Sequence, residues 1–295
     1  MATQSDSLND VLRCEMTAVD QQFIHVLALR QWGDDKTAER IMQIDQVDFP
    51  NAMRIIDYLV ETKTPITLAS GSCTPGTSYR DILLSEQTVE RQLSAAIERS
   101  ACTDDRAQAL IAAAAEPREA YATWLTDRLN GANRGEPGAT LAGTETAGIV
   151  AHLIALIEQT MVHAFVHWHG DDRDGADAAW ASSGAAMMDM TEMVHLFAAH
   201  RTVPVPGEFP ALHIADAAAE ALDFDRQLAE RCANEAARAS DESEEIALAD
   251  LCRKIADRCL ELSRWNPGQA HPAINNIPPA FGSFEATLKR FVWPK

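Results

Sequence analysis

Two glutamates stand where a helical sequence ordinarily places apolar side chains. Glu15 is in register with Leu8, Leu12, Val19 and Phe23, and Glu158 with Ile154, Met161 and Phe165. A carboxylate on the buried stripe of a helix is costly to desolvate, so it needs a proton, a hydrogen-bond donor or a cation. A neutral or salt-bridged glutamate at the edge of the stripe is the competing reading for each. A third position adds a nitrogen. Glu192 and His195 share one helix face at i, i+3, a spacing that lets both reach a single metal ion. They follow Glu158 at nearly the same interval at which Asp48 and Asn51 follow Glu15. The second half of the chain therefore carries an acid–acid–histidine set, and the first half a weakened copy.

The elements that must position these residues are helices. Helical periodicity runs from Leu8 to Trp265, and 46% of the residues are hydrophobic while only 6% are aromatic. Trp32-Gly33-Asp34-Asp35 marks the first turn, and a second helix runs to about Thr62 with Pro50 as a point of kinking or breakage. Residues 63–78 form a long connection with Pro65, Gly71, Pro75 and Gly76. A third helix covers residues 79–99, and Thr103-Asp104-Asp105 caps a fourth that ends near Leu129. The Gly-, Asn- and Pro-rich stretch 130–143 is the domain boundary. Four further helices are expected at about 144–168, 176–200, 214–239 and 244–264, again with a long second-to-third connection at Val203-Pro204-Val205-Pro206-Gly207. One long crossover at that joint separates ferritin-like bundles from simple up-down bundles. The repeated rhythm predicts an all-α chain of two consecutive ferritin-like four-helix bundles, residues 1–132 and 143–265, produced by internal duplication. An irregular tail, 266–295, straps along them.

The segment Leu12-Arg13-Cys14-Glu15-Met16-Thr17-Ala18-Val19-Asp20-Gln21-Gln22-Phe23-Ile24-His25, followed by Gln31-Trp32-Gly33 and Ala52-Met53-Arg54-Ile55-Ile56-Asp57-Tyr58-Leu59, resembles the first two helices of a bacterioferritin. That resemblance implies two irons held by a glutamate on the first and third helices and an E-x-x-H on the second and fourth. By position, Glu15 matches the first-helix ligand, Asp48 and Asn51 replace the second-helix pair, and Glu86 matches on the third. On the fourth, Glu119 is the nearest candidate, with Pro117 kinking the helix beside it. In the second half Glu158, Glu192 and His195 match, Asp225 stands in on the third helix, and the fourth offers no carboxylate. The family's haem-ligating methionine corresponds to Met193. Its duplicate position is Phe49, so paired-methionine haem ligation is not expected.

From these residues the expected function is a di-iron-type oxidase or oxygenase, with iron or manganese as cofactor, acting with O2 on iron or a small organic substrate. Glu15, Asp48 and Glu86 would make an all-oxygen site beside the Glu158, Glu192 and His195 site. The alternative is a non-catalytic helical scaffold or ligand-binding protein with vestigial metal sites. The histidines need separate weighing: His163 and His167 lie one turn apart, His167 and His169 suit a polar helix end, His163 stays open, and His25 is structural or supports a ligand. Oligomers are expected, but a fused pair with a tail does not tile a 24-subunit storage cage as single subunits do.

The exterior narrows the partners. Twenty-five basic against 44 acidic side chains give a charge of −19, which repels phosphate backbones and anionic lipid. Six cysteines without a C-x-x-C pair read as small buried thiols. The first residues have neither a basic nor an apolar leader segment, and the apolar stretch 149–157 is too short for a bilayer, so the cytoplasm is the expected compartment.

Overall fold

The computed structural model describes residues 3–68, 73–131, 140–141, 144–200, 202–204, 206, 209–267, 269–273 and 282–292. Most of the expected linker 130–143, and Pro278, Pro279, Phe281 and Trp293 of the tail, lie outside these. The protein is all-α. Its chain divides into two compact units, Met1–Ala142 with Phe197–Val205, and Gly143–Leu196 with Pro206–Lys295.

The first unit contains α1 (Gln4–Gln31), α2 (Asp35–Glu61), α3 (Tyr79–Arg99), α4 (Asp105–Ala115) and α5 (Arg118–Gly131). Local chemistry sets their ends. Thr3 and Asp6 form a capping box at α1, and the side chains of Asp34, Ser78 and Asp104 accept from the third residue beyond them to cap α2, α3 and α4. Gly33 makes the α1–α2 turn at φ 87°, a left-handed conformation that glycine adopts without strain. Pro50 is accommodated within an unbroken α2. Pro117 acts differently: the fourth helix stops at Ala115 and restarts at Arg118, so α4 and α5 are separate pieces. In this unit α1 packs on α2 and α3, α5 on α3, and α4 on α2. Leu12, Ile24, Ile55, Ile56 and Leu93 are fully buried between them. The connection 62–78 joins α2 to α3, while the other joints are short. A two-residue parallel pair, β1 (Thr140–Leu141) with β2 (Thr202–Val203), accompanies the helices.

The second unit contains α6 (Thr144–His169), α7 (Arg173–Ala199), α8 (Ala218–Glu242) and α9 (Ile246–Arg264). Here α8 packs on α6 and α9. Ser183 Oγ donates to Ile157 O at 3.2 Å and ties α7 to α6, and an Asp189–Arg258 ion pair ties α7 to α9. Again the second-to-third connection is the long one. The helical span Ala147–His169 is long and apolar enough to cross a membrane, in contrast to the shorter stretch read from sequence. It is 94% buried inside the protein over its most apolar window, so its apolarity is that of a core helix. Nor is the tail wholly irregular: α10 (Phe284–Thr287) leads into a π-helical turn, Leu288–Val292. Phe284 is buried against the rings of Phe165, Trp168 and Trp180, with centroids 5.0–6.0 Å away.

Candidate functional site

The interior of the first unit is polar along its axis. Glu15, Gln22 and His25 from α1, Asp48 and Asn51 from α2, Glu86 and Glu90 from α3, and Arg118 and Tyr121 from α5 are all buried. Four of the expected ligand positions in this half therefore need separate accounts.

Glu86 is fully engaged. His25 Nδ1 lies 2.5 Å from its Oε1, and Tyr121 donates its hydroxyl to Oε2 at 2.7 Å. The Gly76 amide donates to His25 Nε2 at 2.9 Å, so the ring proton resides on Nδ1 and points at Glu86. Both nitrogens of His25 are thus occupied. The Tyr121 hydroxyl is held far above its ordinary pKa by burial and by Glu86.

Asp48 faces a cation of the protein's own. Arg118 forms an ion pair with Asp48 and donates to Glu90 Oε2 at 3.1 Å, and Gln22 adds a bond to Asp48 Oδ2 at 3.0 Å. Burial raises the Asp48 carboxyl above its usual range in spite of Arg118, and lifts Glu90 to about 7. Half-buried Asp45, one turn before Asp48, is also raised to about 7, by burial and then by Asp48 and Glu86. Asn51 is engaged with the Ala113 carbonyl at 3.3 Å and with Arg54 at 3.2 Å.

Glu15 is the exception. It is fully buried, and neither carboxylate oxygen has a hydrogen-bond partner among the described residues. Burial, then the charges of Asp48 and Glu90, hold it well above the carboxylate range against the opposing pull of Arg118.

Glu119, the fourth-helix candidate, is exposed. Its neighbour Arg118 points inward instead, in register with the buried Ala107 and Ala114 of α4, with Tyr121 one turn later on the same face. Where the bacterioferritin resemblance implied E-x-x-H, this chain places R-x-x-Y. The sign of the fourth-helix charge is reversed.

In the second unit Glu158 is buried, but Glu192 and His195 are exposed and do not converge on it. The Glu192 side chain is 45% exposed and lies 3.6 Å from Arg258. The inward carboxylate of α7 is Asp189, one turn earlier and 2% exposed, ion-paired with Arg258 of α9 and raised to about 7 by burial. Asp225 accepts from Gln159 at 3.0 Å and lies 2.6 Å from His163 Nδ1, while the Ala215 amide donates to His163 Nε2 at 3.1 Å. His163, like His25, has both ring nitrogens engaged. Met193 is buried as an apolar side chain.

The two interiors share a pattern that the spacing of acids missed. Gln21 and His25 receive the amides of Thr74 and Gly76, and Gln159 and His163 receive those of His213 and Ala215. Ten residues beyond each histidine-bound amide comes the carboxylate that the same histidine contacts, Glu86 or Asp225. The signal was present in sequence as a repeated Gln-x-x-x-His. In this register Glu158 precedes Gln159 as Asp20 precedes Gln21, so Glu15 and Glu158 do not occupy matching places.

A pair of irons needs carboxylates and imidazoles with free lone pairs. In the first unit a guanidinium already stands between Asp48 and Glu90, each Glu86 oxygen already accepts one hydrogen bond, and His25 has no free nitrogen. Bringing a divalent cation here would set it against Arg118. The residues do not fit a di-iron group. Among the described residues no group of three or more His, Cys, Asp or Glu side chains is arranged to hold a metal ion.

Fold and interior together define an all-α protein with an arginine–carboxylate pair in each unit, fully buried in the first and with a part-exposed Arg258 in the second. Over 130 residues the chain is 25% identical to a bacterial ferritin from Pseudomonas aeruginosa, a match covering 42% of this chain and 84% of that protein. No protein-family model matches the chain, and no solved structure matches it.

Proposed function

We propose that this chain is a ferritin-related, cytoplasmic, non-catalytic helical protein that binds a small ligand, and that arginines have taken the place of its ancestral metal ions. The observation that carries the reading is the position of Arg118 between Asp48 and Glu90, matched by Arg258 on Asp189. A cation is the simplest remedy for carboxylates in a dry interior, and here a side chain supplies it. The repeated Gln/His arrangement supports tandem duplication of one bundle, with Asp48 and Arg118 equivalent to Asp189 and Arg258. The chain's charge of −19 supports a partner other than nucleic acid or anionic membrane.

Similarity to a bacterial ferritin favours a second reading, in which Glu15, Asp48 and Glu86 hold iron or manganese and react with O2. Anaerobic reconstitution with Fe(II), followed by metal analysis, separates the two. The first reading expects no stoichiometric retention of iron. One or two irons per chain, lost in Asp48→Asn and Glu86→Gln, would overturn it in favour of the oxidase.

A further inference from the structure

The second unit contains a cavity of about 790 Å³ between α6, α7, α8 and the segment that follows α9. This volume lies in the range of small-molecule sites, roughly 300–1,000 Å³. None of the expected metal ligands except Asp225 lines it.

The hydrogen-bonding character of its wall is one-sided. The Thr160 hydroxyl donates to Leu156 O at 2.6 Å and the Ser182 hydroxyl to Ala178 O at 3.1 Å. His271 Nδ1 accepts from the Ala273 amide at 3.3 Å, so its proton is on Nε2, directed at Ser182 Oγ 3.3 Å away. Burial lowers His271 to about 4, consistent with a neutral ring. Trp265 Nε1 donates to Gln269 O, and Arg226 is engaged with the Trp265 carbonyl and Asn266. These donors are directed at protein acceptors.

Acceptors remain. Asp172, Asp174, Asp177 and Asp225 line the cavity, and Asp177 Oδ1 already accepts from the Phe284 amide at 2.7 Å. Asp225 uses Oδ1 for both Gln159 and His163, which leaves Oδ2. His167 Nδ1 lies 2.7 Å from Asp172 Oδ2. Burial alone would raise Asp172, but the Gly175 amide and His167 outweigh it and hold the carboxyl below its usual value. Asp172 thus has both oxygens engaged, Oδ1 by the Gly175 amide at 2.9 Å and Oδ2 by His167. The pairing is built in: a Cβ at Gly175 would come within 2.2 Å of His167 Nδ1 and 2.3 Å of Asp172 Oδ2. Between these acceptors the wall is apolar, with Leu156, Ala178, Leu222 and Leu262.

We infer that this cavity binds a small organic ammonium ion, its N–H groups directed to Asp225 and its hydrocarbon body against Leu156 and Leu222. An anion would meet four carboxylates against one guanidinium, that of Arg226, which Trp265, Asn266 and Asp223 already engage, and a neutral alcohol would bring no charge to the open oxygen of Asp225. The inference rests on the ligand-binding reading above and names its ligand class. Metal analysis tests that reading without reference to amines, so the two fail separately.

The experiment is calorimetric titration of the full chain with n-hexylammonium, n-hexanoate and n-hexanol, compounds of nearly one size and different charge. Hexylammonium is expected to bind at least tenfold more tightly than either of the others. Asp225→Asn should weaken it by tenfold or more and leave hexanol unchanged. Because Asp225 also contacts His163, a second variant guards against misfolding: Ala219→Phe, at an exposed position of the cavity lining on the first turn of α8, should block binding while preserving the thermal transition. Equal affinities across the series, no binding by any of the three, or hexylammonium binding unaltered by Ala219→Phe would each overturn the inference. Displacement of hexylammonium by Mg2+ or Ca2+ at lower concentration would overturn it too, and assign the site to a metal.

Discussion

Arg118 holds Asp48 in an ion pair inside the first unit, with both side chains sequestered from water. Taking one partner away leaves the other charged in an apolar medium, which costs about 3–5 kcal/mol in comparable buried pairs. Arg118→Leu is therefore expected to lower the unfolding free energy by about that amount in urea titrations. Adding Asp48→Asn and Glu90→Gln to Arg118→Leu should restore a large part of it. If the triple variant is no more stable than the single one, the arginine acts through packing instead of charge.

Glu15 leads to the opposite expectation. Its carboxyl is buried with no hydrogen-bond partner among the described residues. Replacing such a group with an apolar side chain of similar volume removes an unmet polar demand, worth about 1–3 kcal/mol. Glu15→Met should raise the melting temperature. A fall in melting temperature reversed by added Fe(II) would point to iron binding instead.

Proton linkage gives a third test. Glu15, Asp45, Asp48, Glu90 and Asp189 all titrate above their ordinary values when folded, Asp45, Glu90 and Asp189 at about 7. Unfolded carboxyls titrate near about 4. From about pH 4 to about pH 7 the folded chain keeps protons that the unfolded chain has released, so their contribution is full below pH ~4 and is lost as pH rises through ~7. His271 works in the reverse sense, its ring at about 4 when folded against ~6.5 unfolded, so its contribution is lost on acidification below ~6.5. Melting temperatures should therefore fall from about pH 5.5 to about pH 8, and Glu90→Gln with Asp189→Asn should flatten that slope.

Two histidines provide the fourth. His25→Ala strands the Gly76 amide and one oxygen of Glu86, and His163→Ala strands the Ala215 amide and part of Asp225. Each loss should cost about 2–4 kcal/mol by calorimetry, the sum of two broken buried bonds. His195→Ala, at an exposed position of α7, serves as the control and should change little.

The helices, their short and long joints, and the inward glutamate of α1 follow from apolar periodicity, because a 3.6-residue repeat decides which side is buried. Arg118 does not stand out, although it continues the buried stripe of Ala107 and Ala114, because a fourth helix expected to supply a carboxylate offers Glu119 next to it. The inward face of α7 is ambiguous in sequence for another reason. Alanine and methionine surround Asp189, Glu192 and His195 on nearly every side, so periodicity there does not choose between a carboxylate and its neighbour one turn away. The Gln-x-x-x-His repeat is legible only if the Gln21 and Gln159 side chains are counted as acceptors for the backbone amides of the crossovers.

The pairing of His25 with Gly76 and of His163 with Ala215 has a kinetic corollary. Segments that connect helices ordinarily open and close independently of the bundle, and their amides trade hydrogen for deuterium within moments. Here the connecting strand before α3 and its counterpart before α8 are each pinned to the first helix of their unit by an imidazole that cannot be reached from solvent. Those two amides can open only when the helical interior itself opens, so each crossover reports on the lifetime of a whole bundle.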